Sequence, residues 1–189
     1  MLVKNPEHII ENNLKQIQIK FEQNNPNIVL CSRPFYKIEF LSRLINSARE
    51  PVIIVDMDLL FTGYIQSGMI QKKENVTVFC LDKTNWKKKL SAIISEISKK
   101  KFLVIIDSFN GIYSMFDDLE SVRFTNSCIM LLTSIGNQSK SSILITGMAR
   151  KKENDEWVLL PGGKHIIKSE KTGVYFLKKS AKNMSIVSL

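Results

Sequence analysis

Five short apolar runs constrain this chain more than any other feature: Ile28–Cys31, Pro51–Val55, Val76–Leu81, Phe102–Ile106 and Ser142–Thr146. A strand that faces water on one side alternates apolar and polar residues; these runs are close to continuous, so both of their faces are expected to be covered. Helical stretches lie between them. Residues 38–48 read as one helix. Residues 85–100 place Leu90, Ile93, Ile94 and Ile97 on one face of another, and residues 119–138 read as a third. Strands alternating with helices predict an α/β fold, in which a mostly parallel sheet is the middle of three layers.

The two ends of the chain read differently. Residues 7–24 carry Ile9, Ile10, Leu14, Ile17 and Phe21 at helical spacing, and Asn24-Asn25-Pro26-Asn27 stops that helix. The stretches 164–168, 173–178 and 185–189 alternate between apolar and polar residues. Turn signals at Pro161-Gly162-Gly163 and Ala181-Lys182-Asn183 separate them. They predict C-terminal antiparallel strands that extend the sheet. With 189 residues, 44% of them hydrophobic, one domain is expected: an N-terminal helix over 1–25 and a core over 26–189.

The formal charge is +9 and the sequence pI about 9.5, which suits a polyanionic partner. Lysine supplies 22 of the 27 cations and arginine only 5. That skew also fits an AT-rich coding sequence, so two origins of the charge stand side by side. Cys31, Cys80 and Cys128 are far apart and have no metal-ligand spacing, as expected of free thiols in a reducing compartment. No apolar run is long enough to span a bilayer, and the N-terminus lacks the shape of a signal peptide. The expectation is a cytoplasmic protein without a membrane partner.

In open α/β sheets, ligands bind beyond the carboxyl ends of the strands. Three such ends carry chemistry here. The first is Cys31-Ser32-Arg33-Pro34-Phe35-Tyr36-Lys37-Ile38, where a strand runs into a helix and a lysine follows. The second is Val55-Asp56-Met57-Asp58, and the third is Val104-Ile105-Ile106-Asp107-Ser108. A carboxylate at a strand end beside a phosphate loop is the arrangement that holds magnesium in nucleotide hydrolases. Asp in that position also commonly caps the following element.

Taken in order, these segments resemble the core of the RecA/RadA (KaiC-like) superfamily, in the manner of an archaeal recombinase paralogue. The resemblance covers roughly residues 26–189. It places Lys37 at the phosphate-loop lysine, Asp58 at the water-activating carboxylate, and Asp107 with Ser108 at the end of the metal-binding strand. Met148 falls at the γ-phosphate sensor. Pro161-Gly162-Gly163-Lys164-His165, followed by Gly173–Lys179 and Met184–Leu189, resembles the family's closing segment. The implied fold is RecA-like, of the P-loop type.

The departures from that family point away from catalysis. A phosphate loop of the form GxxxxGK[ST] needs two glycines for close backbone approach and a hydroxyl for magnesium. Aligned on Lys37, those positions hold Cys31, Tyr36 and Ile38, and no glycine precedes Gly63. The Walker A motif is therefore degenerate. With Met148 and Asp58 also departing from the family, a relic nucleotide site is expected at Arg33, Tyr36, Lys37, Ile38, Asp58, Asp107, Ser108 and Met148. No catalytic residue, no metal site and no cofactor is expected, with ATP and magnesium disfavoured. Lys37 is expected to be a solvated lysine at a helix start, and Phe35 and Tyr36 to fill or cover the nucleotide space.

The family's DNA-contacting loop corresponds to the stretch after Ile143–Gly147, where Arg150, Lys151, Lys152 and Trp157 stand. Cations track phosphates and an aromatic ring stacks on a base; Glu153, Asp155 and Glu156 offset the charge, so a mixed-charge hairpin is the plainer reading. Lys164 and His165 add to the same surface. The resemblance implies a non-catalytic accessory protein in DNA recombination or repair. Its partner would be DNA or RNA, a RecA-like recombinase, or further copies of the chain. The alternatives are a non-catalytic, tRNA-binding subunit of a ring similar to the Elongator accessory subcomplex, or a weak ATPase.

Overall fold

The computed structural model describes residues 6–115, 120–151, 157–159, 169–180 and 184–189. In chain order, Pro6–Gln23 forms α1, Asn27–Cys31 β1, Pro34–Ser47 α2, Val52–Asp56 β2 and Leu60–Gln66 α3. Val76–Cys80 forms β3, Trp86–Ile97 α4, Leu103–Asp107 β4, Phe109–Met115 α5 and Glu120–Ser139 α6. The chain closes with Ser142–Lys151 as β5, Trp157–Leu159 as β6, Gly173–Lys179 as β7 and Met184–Ser188 as β8. Each of the five continuous apolar runs is a strand. Two short helices, α3 and α5, lie where the sequence showed no clear period.

The sheet runs β3-β2-β4-β5-β1-β7-β8, and β6 pairs with β5. All the pairings from β3 to β7 are parallel. The antiparallel strands are β6 and β8, whereas β7 itself runs parallel to β1. The expected strand at 164–168 lies outside the described residues.

Alternate residues of the strands feed two separate cores, as the pleat requires. Val29, Cys31, Ile54 and Ile105 pack with Leu14, Ile17 and Phe21 of α1, with Phe40, Leu41 and Leu44 of α2, and with Phe61 of α3. Ile28, Leu30, Ile53, Val55, Val104 and Ile106 face the other way, onto Ile93 and Ile97 of α4, Phe109 and Ile112 of α5, and Ile129 and Leu132 of α6. Two helical layers therefore cover the sheet, giving the expected three-layer α/β architecture. Among the described residues, no helix is long and apolar enough to cross a membrane.

Parallel pairing brings the strand carboxyl ends to one edge. Asp56 lies opposite Asp107 across β2 and β4, and Cys31 opposite Met148 across β1 and β5. The pivot for α2 is Pro34, whose fixed φ suits a helix start. The helix begins there and not at Ile38, so only Ser32 and Arg33 connect β1 to α2.

Phe40, fully buried, is among the largest side chains of the first core. Phe40→Ala is expected to lower stability by about 3–5 kcal/mol, measured by urea denaturation.

Candidate functional site

Lys37 sits in the first turn of α2 with its side chain 1% accessible. Its ammonium lies 2.7 Å from Asp107 Oδ1 and 3.0 Å from Asp58 Oδ2. The expected solvated lysine is therefore a buried ion-pair centre. An exposed ammonium is favoured only while no carboxylate is in reach, and β2 and β4 each deliver one.

The carboxylates are held in turn. The Thr146 hydroxyl donates to Asp107 Oδ1 at 2.6 Å, and the Ser108 hydroxyl donates to Asp58 Oδ2 at 2.9 Å. Asp58 Oδ1 accepts from the Leu60 amide at 3.2 Å, and Asp56 Oδ2 from the Thr62 amide at 2.7 Å. Asp107 is inaccessible, while Asp58 lies at the rim with its side chain 28% accessible. Leu59 adopts the left-handed conformation, φ 60° and ψ 9°, and turns the chain so that Asp58 faces Lys37. A leucine there costs about 1–2 kcal/mol. Gly111 of α5 lies so close to this turn that a Cβ on it would come within 2.7 Å of the Met57 carbonyl carbon.

Burial alone would lower the Lys37 ammonium's pKa, but the Asp107 and Asp58 carboxylates outweigh it and raise the value. Burial works to raise the Asp58 pKa, and there the Lys37 ammonium prevails, lowering it. Burial pushes Asp56 and Asp107 upward, with Lys37 pulling Asp107 the other way. Asp56, Asp58 and Asp107 offer oxygens within 4.8 Å of one another, a spacing a cation can share. The ammonium of Lys37 already binds two of the three.

A magnesium–nucleotide site of the RecA type fits these residues poorly. Two residues between strand and helix leave no loop to encircle a phosphate, because positions 34–36 are already helical. Ile38, at the magnesium hydroxyl position, is buried in the first core. Tyr36 is half-buried against the same core, while Phe35, expected to fill or cover the nucleotide space, points outward and is 54% exposed. Arg33 is exposed, with its guanidinium 5.5 Å from the Tyr36 ring centroid. Met148 is partly buried, and its amide donates to Asn110 Oδ1 at 2.6 Å.

The expected nucleic-acid residues are in part described. Arg150 and Lys151 are exposed at the end of β5. Trp157 stacks on Phe176, with ring centroids 3.7 Å apart and planes at 23°, so one face of the indole is used in packing. Lys152, Lys164 and His165 lie outside the described residues.

Sequence reasoning missed Thr146, Asn110 and Gly111. Thr146 carried a signal: it is the hydroxyl residue at the end of an otherwise apolar run, on the strand beside Asp107. Asn110 and Gly111 carried none, since their partners Met148 and Met57 are far along the chain.

No family model matches the chain, and no curated protein matches it. Among solved structures, it is similar to one described as the crystal structure of the RadB recombinase. The TM-score is 0.53 and the identity 14%; the match covers 87% of this chain and 81% of that one. Three outcomes test the site. Lys37→Met leaves the buried Asp107 and the rim Asp58 without their cation and is expected to cost about 3–5 kcal/mol of stability in urea denaturation. The folded-state pKa of Lys37 lies above its ordinary 10.5, so its contribution is full below pH 10.5 and lost as pH rises through the folded value. That of Asp58 is full above 3.8 and lost as pH falls through its lowered value. The alkaline loss of stability should accordingly be steeper in the wild type than in Lys37→Met. Gly111→Ala should cost about 1–3 kcal/mol in the same assay, because the Met57–Asp58 backbone must shift. With the RadB likeness and the strand order β3-β2-β4-β5-β1-β7-β8, the chain has a RecA-like fold.

Proposed function

We propose that this chain is a non-catalytic RecA-like protein that binds nucleic acid or a recombinase-type partner and assists DNA recombination or repair in the cytoplasm. It neither hydrolyses ATP nor keeps ATP or magnesium as a resident cofactor. The observation that carries this reading is the pairing of Lys37 with Asp58 and Asp107. A lysine that neutralises a nucleotide's phosphates must present its ammonium to them. Here it would first have to leave two carboxylates, one of them fully buried. The absent glycines and the two-residue connection support the same conclusion, since backbone amides cannot form the anion nest that would compensate.

The binding side rests on charge and position. Arg150 and Lys151 emerge from β5 at the carboxyl edge of the sheet, next to the end of β1. With a net charge of +9, the chain favours a polyanion over an acidic protein surface of few charges. The RadB recombinase likeness is consistent with a DNA partner or with assembly beside a RecA-like subunit.

Two measurements test this. Purified protein with magnesium and ATP is expected to release no phosphate; turnover that vanishes in Lys37→Ala would overturn the non-catalytic reading. DNA binding should weaken with salt. Replacing Arg150, Lys151 and Lys152 by Ala should lower the log–log salt slope by about 1 for each phosphate no longer neutralised. A chain that binds tRNA and ignores DNA at low salt would belong to translation-linked chemistry instead.

A further inference from the structure

The early start of α2 closes off one site and exposes another. With Pro34 opening the helix, Phe35 projects outward from its first turn, at the sheet edge where ligands of open α/β folds bind. Phe35 is 54% exposed there, so its ring offers an open face at that edge. Around it stand cations from separate parts of the chain. Lys179, at the end of β7, places its ammonium 5.3 Å from the Phe35 ring centroid and 5.1 Å from that of Tyr36. Arg33 lies 5.5 Å from the Tyr36 centroid and makes no ion pair among the described residues. Glu39 pairs with both Lys179 and Arg43, which fixes Lys179 beside the rings. Arg43 and Lys179 share the single carboxylate of Glu39, and Arg33 adds a further cation, leaving the patch positive.

We infer that Phe35, Arg33 and Lys179 form a binding site for single-stranded nucleic acid, in which a base stacks on the Phe35 ring and the adjoining phosphates meet Arg33 and Lys179. An exposed ring supplies a stacking face that any base can use, and flanking cations supply the sequence-independent attraction to the backbone. Tyr36, half-buried below, keeps the cations close through its ring. Position also favours a strand over an isolated nucleotide. The neighbouring ends of β5, β1 and β7 present Arg150 and Lys151, then Arg33 and Phe35, then Lys179, so cations continue across three adjacent strands. A duplex does not fit the same chemistry, because its bases are already stacked and out of reach of Phe35. The inference rests on the nucleic-acid reading above and adds where and how the strand is held.

The test uses the full chain and an oligothymidylate carrying one 2-aminopurine, whose fluorescence is quenched when it stacks. The wild type is expected to bind and quench. Phe35→Ala should bind about tenfold more weakly and lose the quenching, while Phe35→Trp restores both. Arg33→Gln should reduce the salt slope by about 1. Phe35 and Arg33 are exposed, so these variants are expected to fold, which circular dichroism checks. Unchanged affinity and quenching in Phe35→Ala would overturn the site while leaving the DNA-binding reading standing. A duplex that binds as tightly and responds equally to Phe35→Ala would overturn it, as would displacement of the strand by polyglutamate at equal charge. Absence of binding to any nucleic acid would overturn both the site and the broader reading.

Discussion

The ammonium of Lys37 between Asp58 and Asp107 is the interaction on which the carboxyl edge of this sheet depends. Removing ions from water costs several kcal/mol each, and their mutual attraction repays this only with good geometry and further hydrogen bonds. Those conditions are met: both ion pairs are 3.0 Å or shorter, and Thr146 and Ser108 each donate to one carboxylate. The triad ties the first turn of α2 to the ends of β2 and β4, and through Thr146 to β5. Four elements far apart in sequence therefore meet at one charge. Such a triad need not make the fold more stable than an apolar replacement of similar volume would; what it imposes is that removing Lys37 leaves the buried Asp107 carboxylate without its cation.

The same triad is what supports the proposed difference between this chain and a nucleotide hydrolase built on the same fold. A phosphate-binding lysine must exchange partners when the ligand arrives. Lys37 already has two anionic partners, and the backbone beside it has become helix. The change is one of local geometry more than of residue inventory. A proline three positions before the lysine starts the helix early and shortens the connection to two residues. The side chains of that first turn then divide by direction: Lys37 and Ile38 go inward, and Phe35 goes outward. The early helix start also raises an aromatic ring into solvent among cations.

Much of the architecture was legible because burial on two faces leaves a strong mark. The runs at 28–31 and 103–106 have no polar face, and only a covered parallel sheet accommodates them. α4 was equally clear from Leu90, Ile93 and Ile97. The short α3 and α5 were not, since seven residues hold too few turns for a period to emerge. The parallel pairing of β7 was hidden too, because alternation along Gly173–Lys179 reveals a strand and its faces but not its direction.

At the site, the sequence determined which groups are present: Lys37, Asp56, Asp58, Asp107 and Ser108 at strand and helix ends, and no glycine to cradle a phosphate. It determined this because strand ends in an α/β order converge on one edge whatever the details. Only the tertiary structure decided that Lys37 is buried and not solvated, and that Tyr36 packs while Phe35 does not. Those outcomes depend on distances between β2, β4 and α2, and on the residue at which α2 begins. Both are set by packing across two cores, which no local stretch of sequence encodes.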